Sequence, residues 1–339
     1  MNKQFSKDLY RYYGEKGESF AKRLLRPVEL KYIALFRKAN TARIKPLRLY
    51  YTIKLKLLSY KTHIQIPART QIGEGFYIGH SGRVIIHPDA KIGKNVKIEP
   101  FVVIYEDVVI DDDCWIGAHV TIFPGARIGK GCKIFPGASI SAVPQDLKFA
   151  GEYTTCEIGN NNMIREFVTI NRGTSASGKT VIGDNNLIMA YAHVAHDCVL
   201  GNNCILANSA TLAGHIVVDD FAIIGGQSAI HQFTRIGKHV ILMGGSLVDK
   251  DIPPYVKGGK FPVSYCGVNS VGLSRRGFSN EVINNIQSLY RIVFQKGLTY
   301  SNALEELKQQ PISKERDEII AFMEASERGL MKGFTSVRK

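Results

Sequence analysis

Residues 191–198 read YAHVAHDC. Two histidines three apart, His193 and His196, precede Asp197, a set of side chains that can ligate a metal or abstract a proton. An imidazole beside a carboxylate makes a general base, because the acid selects the tautomer and supports the positive charge once the proton is taken. TLAGH (211–215) adds Gly214 and His215, and HQF (231–233) adds His231 and Gln232. Whether these residues form one site depends on the elements that carry them.

Those elements are written in a period of six. Ile92, Ile98, Ile104, Ile110, Ile116, Ile122, Ile128, Ile134 and Ile140 recur every sixth position. The series resumes at Ile158, Ile164 and Ile170, then runs from Ile182 through Val194, Leu200, Leu212 and Ile230 to Val248. A period of six fits neither an isolated helix nor an alternating strand. It fits short strands joined by turns, three hexads to a coil, coils stacking at about 4.8 Å. The fold class is therefore mainly β, a parallel β-helix of hexapeptide repeats. Slots at Asp146, Glu152 and Ala176 break the series, so PQDLKFAGEYTT (144–155) and RGTSASGKT (172–180) read as loops extruded from the coil.

Residues 18 apart then lie one above another. His196 falls in column with Gly214 and Gln232, and Asp197 with His215. One patch would hold a base, its acid and, at Gly214, a backbone N–H close enough to receive an oxyanion. Cys114, Cys132, Cys156, Cys198 and Cys204 all take the fifth slot of a hexad, where small side chains stand elsewhere, and so read as packing residues. No CxxC occurs, which removes a zinc knuckle.

Composition bounds the rest. Residues 1–62 hold sixteen Lys/Arg against four Asp/Glu, so +12 of the +14 net charge lies there. A basic arm suits an acidic partner or a membrane surface. No apolar run approaches the ~18–20 residues of a membrane span, and the N-terminus shows no signal-peptide pattern, so a soluble cytoplasmic protein is expected. Past DIPPYV the hexads stop, and SNEVINNIQSLYRIVFQKG, SNALEELKQQ and SKERDEIIAFMEASERG read as helices, the first N-capped by Ser279 and stopped at Gly297.

HPDAKIGKNVKI, VPQDLKFAGE, IREFVTINRGT, MAYAHVAHDC, TLAGH, HQF, DIPPYV and GLSRRGFS occur in one order and phase from His87 to about residue 334. Over this span the chain resembles the acyl-[acyl-carrier-protein]–UDP-N-acetylglucosamine O-acyltransferases that open lipid A synthesis. The resemblance implies a left-handed coil and a homotrimer with sites between subunits. It implies transfer of a (3-hydroxy)acyl chain from acyl carrier protein to the glucosamine 3-hydroxyl. His196 would be the base, Asp197 its support and Gly214 the oxyanion donor. Gln145, Asp146 and Lys148 would hold the sugar and the acyl-chain groups. His193, His215 and Gln232 would line the nucleotide-sugar pocket, with Asn269, Arg275 and Arg276 toward the nucleotide and phosphates. Gly244 and Gly245 would leave room for the acyl chain that Met243 shortens. No separate cofactor is implied, since the acyl group rides on the carrier's phosphopantetheine; nucleic acid is not expected as a partner. A hexapeptide-repeat carbonic anhydrase uses three histidines across a trimer interface for zinc, but its spacing differs, so no metal is expected. Two departures stand out: Val271 where the family often has an acid, and Asn171 where some relatives have His.

The first 86 residues lie outside that resemblance. THIQIPARTQIGEGFYIGHSGRVIIHP is similar to the first coils of serine acetyltransferases, with Ile66, Ile72, Ile78 and Val84 in period six and then a slip of two. His80 in GHSG matches a catalytic histidine of that family. The expected organisation is a basic, mostly helical segment (1–62), serine-acetyltransferase-like coils (63–86), the acyltransferase β-helix (87–256) and a helical C-terminal domain (257–339), as in a fusion. The alternatives are an acetyl-CoA-dependent serine O-acetyltransferase using His80, or a chimeric scaffold with impaired catalysis.

Overall fold

The computed structural model describes residues 3–16, 19, 22–23 and 25–333. They form two compact units, residues 1–179 and 180–339. The division falls inside the repeat.

In the first unit, two- to four-residue strands build three parallel faces. One face runs Ile64–Gln65, Val84–Ile86, Val103–Ile104, Thr121–Ile122, Ser139–Ala142 and Thr169–Asn171, with Ile104, Ile122 and Ile140 in register. The inward aliphatics are almost wholly buried, each contributing about 1.5–3 kcal/mol of transfer free energy. Corners between strands hold a residue in the left-handed region, such as Asn95, Phe101, Asp107, Asp113 and His119. That is why Asn, Asp and Gly recur three residues past the inward aliphatic. Ile128 pairs with Ile158 and Ile134 with Ile164, twelve residues beyond the usual eighteen, so the QDLK loop is extruded as read.

The slip of two also has a cause. Tyr77 pairs with Lys97, a 20-residue step, and the extra two residues form the corner at 79–83. Val84–Ile86 already belongs to the second coil, so the first coil passes into the 87–256 repeat without a break in pairing.

The basic arm is helical over Lys3–Tyr13, Val28–Thr41 and Lys45–Thr62. Its helices cover the first coil's open strand edge. Tyr32 Oη accepts from the Ile66 N–H at 3.0 Å, and Tyr12 Oη donates to the Ile78 carbonyl at 2.7 Å. Asn40 Nδ2 donates to the Ala68 and Thr70 carbonyls. Arg37 Nη1 donates to the Ile72 carbonyl at 2.6 Å while its guanidinium grips Asp8 in a fork, Nε–Oδ2 2.8 Å and Nη2–Oδ1 3.0 Å. Asp8 in turn accepts from the Phe76 N–H at 2.8 Å. Both ions are buried but fully hydrogen-bonded, the condition under which a buried pair is tolerated.

The second unit has the same three-faced pattern, with Val194, Leu212 and Ile230 inward and Asp197, His215 and Phe233 at left-handed corners. One correction concerns its end. Residues 257–339 do not begin as helix. Val256–Gly259 pairs parallel with Ile241–Leu242, then antiparallel with Ser264–Val268, so a hairpin closes the coil first. Helices then follow at Ser270–Arg275, Asn280–Gln295, Tyr300–Lys308 and Lys314–Glu324. Ser279 caps Asn280–Gln295 by accepting from the Val282 N–H, and Gly297 stands at φ +70 just past its end.

Candidate active site

Strand His193–Val194 leads into the corner that carries His196 and Asp197. Asp197 occupies the left-handed corner at φ +60, so its side chain turns back across the coil instead of into solvent. Its N–H donates to Thr180 Oγ1 at 2.9 Å, which pins the corner. Asp197 Oδ2 lies 2.7 Å from His196 Nδ1 and 3.8 Å from His215 Nε2. The Asp197 side chain is buried and the His196 ring 12% exposed, so the pair is nearly dry, with a narrow outlet at the imidazole. In that setting a charge-assisted hydrogen bond is strong.

One coil on, Gly214 lies against the face of the His196 ring. A Cβ there would stand 2.6 Å from His196 Cε1 and 2.8 Å from Nε2. Only a glycine lets the ring lie on this backbone. The neighbouring amides are committed, Ala213 to the Ile230 carbonyl and His215 to that of His196, while the Gly214 amide is not part of that ladder. The His215 ring meets His196 edge-on at 5.1 Å and stacks on Phe233 at 4.5 Å, 9° from parallel. His193 is half-buried; burial, and then the like charge of His196, hold its pKa below the ordinary value.

His196, Asp197 and His215 also have ligand types that suit a metal. Tetrahedral zinc with bonds of about 2.1 Å holds its donors about 3.4 Å apart. The 2.7 Å between His196 Nδ1 and Asp197 Oδ2 is the spacing of a shared proton.

Not every expected residue joins the cluster. His231 and Gln232 are exposed one coil further, where His231 Nδ1 contacts the Gln232 carbonyl at 3.1 Å. At Gly244 a Cβ would come 3.2 Å from the Gly226 carbonyl oxygen, so this corner has little room to spare; Met243 is half-exposed. Gly245 sits at a left-handed corner, φ +71.

Asn269 has a structural role. It is buried, and both ends of its amide are used internally: Nδ2 donates to the His239 carbonyl at 2.9 Å, and Oδ1 accepts from the Gly272 N–H as an N-cap. It shapes the Ser270–Arg275 helix. Arg276 is half-buried, with Nη2 donating to the Phe221 carbonyl at 3.2 Å and the guanidinium over the Phe221 ring; desolvation lowers its pKa. Arg275 and Val271 are exposed.

In the first unit, Gln145 and Lys148 are exposed and Asp146 is half-buried. Asp146 Oδ1 accepts from the Lys148 N–H at 2.9 Å, which fixes the loop tip as an Asx turn. Glu152 joins the two extruded loops, accepting from the Ala150 and Ser175 N–H groups. Asn171 donates to the Val143 carbonyl at 3.0 Å and supports the base of the QDLK loop. His80 stands exposed in the two-residue bulge near Glu99. The fifth-slot cysteines are buried, and desolvation pushes Cys156, Cys198 and Cys204 up to about 12. They are packing groups, not nucleophiles.

The solved structure of a UDP-N-acetylglucosamine acyltransferase from Bacteroides fragilis is 53% identical, matching 73% of this chain and 98% of its own with a TM-score of 0.72. The chain belongs to the UDP-N-acetylglucosamine acyltransferase family. The Francisella novicida acyltransferase is 39% identical over 73% of this chain and 92% of its own, TM-score 0.72. That of Arabidopsis is 31% identical over 80% and 99%, TM-score 0.70. The family model for Udp N-acetylglucosamine O-acyltransferase, domain 2, matches residues 251–331, and that for the bacterial transferase hexapeptide matches 179–214. The second match runs through His193, His196, Asp197 and Gly214. Acyltransferase membership accounts for the solenoid and for the C-terminal helices alike. Among the described residues no helix is long and apolar enough to cross a membrane.

Proposed function

We propose that the protein transfers an acyl chain from acyl carrier protein to the 3-hydroxyl of UDP-N-acetylglucosamine, the opening step of lipid A synthesis. The observation that carries this reading is the His196–Asp197–Gly214 arrangement, on a chain whose family relatives act on that nucleotide sugar. His196 Nε2 takes the proton from the sugar hydroxyl as its oxygen attacks the thioester carbonyl carbon. Asp197 accepts the hydrogen bond from Nδ1–H and supports the imidazolium. The Gly214 N–H meets the oxyanion. Collapse breaks the C–S bond, and the phosphopantetheine thiolate leaves with the proton from Nε2. The chemistry needs no separate cofactor, because the thioester supplies the activated acyl group.

His193, His215 and Gln232 would border the sugar, and Arg275, the exposed arginine of the pair, would meet the phosphates through its planar fork. Gln145 and Lys148 are exposed on a loop whose tip Asp146 fixes, as side chains that reach a neighbouring subunit of a homotrimer would be. A cytoplasmic location, where acyl carrier protein is found, belongs to the same reading. No observation favours the serine acetyltransferase alternative: His80 is exposed on a two-residue bulge, and among the described residues no carboxylate is hydrogen-bonded to its ring. The test is direct. Purified protein given 3-hydroxyacyl carrier protein and UDP-N-acetylglucosamine should yield the acylated nucleotide, and His196→Ala should not. Turnover of His196→Ala near wild type would remove the base assignment, and absence of product with any acyl length would remove the substrate assignment.

A further inference from the structure

The helix Lys45–Thr62 has two apolar faces. Leu55 and Thr62 are buried on one, and Tyr32 of the Val28–Thr41 helix meets Ser59 there. The other carries Leu49, Ile53 and Leu57 at four-residue spacing, flanked by Tyr50 and Tyr60. These five are 62%, 52%, 64%, 49% and 69% exposed. At about 100° per residue they occupy an arc of roughly 100°, centred opposite Leu55. Such a face is normally polar. Here the polar groups stand only at its borders: Lys45 and Lys56 on one side, Lys54 and Lys61 on the other. No Asp or Glu occurs from Leu30 to Gly73. Among the described residues none of these four lysines pairs with a carboxylate, and Lys54 lies over the Tyr50 ring at 4.4 Å.

An apolar stripe bordered on both sides by lysines matches one environment closely. Laid in the plane of a bilayer interface, the stripe enters the acyl boundary while the lysine stems extend to the phosphates. The tyrosines suit the headgroup depth. Uniform positive charge fits a surface rich in anionic phospholipid. The buried face opposite packs on the Val28–Thr41 helix and the first strand, so the stripe is presented on a helix already formed. We infer that the Lys45–Thr62 helix docks the protein on anionic membrane surfaces.

The test is sedimentation of the full-length protein with sucrose-loaded vesicles at about 0.1 M salt, comparing 70:30 phosphatidylcholine:phosphatidylglycerol with phosphatidylcholine alone. Partitioning should be at least ~10-fold stronger on the anionic vesicles. I53D/L57D should lower it at least ~10-fold, and K45Q/K54Q/K56Q/K61Q should abolish the preference for anionic lipid. All of these positions lie on the solvent side, and circular dichroism melts should match wild type. Acyl transfer by both variants in vesicle-free solution should be unchanged, which separates this inference from the catalytic reading. Equal binding to both lipids, or binding insensitive to I53D/L57D, would overturn it. So would capture of acyl carrier protein, or concentration-dependent self-association, that I53D/L57D abolishes while vesicles remain unbound.

Discussion

His196 Nδ1 and Asp197 Oδ2 lie 2.7 Å apart although the two residues are adjacent in the chain. Neighbours in an extended strand point to opposite faces; the left-handed backbone of Asp197 is what turns its carboxylate back to the ring. Asp197→Asn would keep the shape and reverse the hydrogen bond's preference, favouring the tautomer with its proton on Nε2. We expect kcat to fall by about 10²–10⁴, with KM for UDP-N-acetylglucosamine within a few-fold. Steady-state kinetics at saturating acyl carrier protein decides it; an unchanged kcat would show that the carboxylate is not needed.

Gly214→Ala should act through His196. The added Cβ would stand inside the ring's contact distance, and the flanking ladder prevents the backbone from yielding. Activity should fall at least ~10²-fold while the melting temperature changes little. In the H196A/G214A double variant the second substitution should cost almost nothing further, because the two residues act as a unit. Independent, multiplicative losses would separate the glycine from the base.

His239 makes stability pH-dependent. It is stacked between Phe221 and Tyr255, edge-on to Phe278, with Arg276, Lys238, Asp220 and Glu318 around it. Desolvation, and then the positive charges of Arg276 and Lys238, lower its pKa to about 4. The unfolded chain binds the proton at about 6.5. This contribution is therefore complete above about 6.5 and is lost as pH falls toward 4. Urea midpoints should drop between pH 7 and pH 5. His239→Phe keeps the stack and should flatten that drop; an identical pH profile would assign it to other groups.

Arg37→Met strands the Asp8 carboxylate among apolar groups. Removing one partner of a buried pair costs about 3–5 kcal/mol. The arm, not the coil core, should respond, with tryptic cleavage between residues 3 and 62 accelerating while the single Trp115 keeps its folded fluorescence. R37M/D8L should recover most of the protection. Loss of the Trp115 signal in step with cleavage would mean that the arm and solenoid unfold as one.

What the sequence made legible was the lattice. A hexad period states which residues are 18 apart, and that places His196 on Gly214 and Asp197 beneath His215 without reference to any structure. Contacts outside the lattice were not legible. Thr180 reaches Asp197 from the edge of an extruded loop. The Phe233 stack on His215 obeys the same eighteen-residue rule, and an aromatic at a corner is the signal for it. Tyr12, Tyr32 and Arg37 bind the first coil across 34–66 residues with no period to announce them. Asn269 reads as a polar residue near basic ones, and only its buried surroundings reveal a helix cap.

A stack of parallel coils has no natural last row, since each exposes the same hydrogen-bonding edge that the next would use. Left open, such an edge can template another chain and seed a fibre. The hydroxyls of Tyr12 and Tyr32 and the guanidinium of Arg37 occupy those bonding positions with groups that offer no further edge. The helices of the arm therefore cap the first coil, using up bonding positions that a further strand would need.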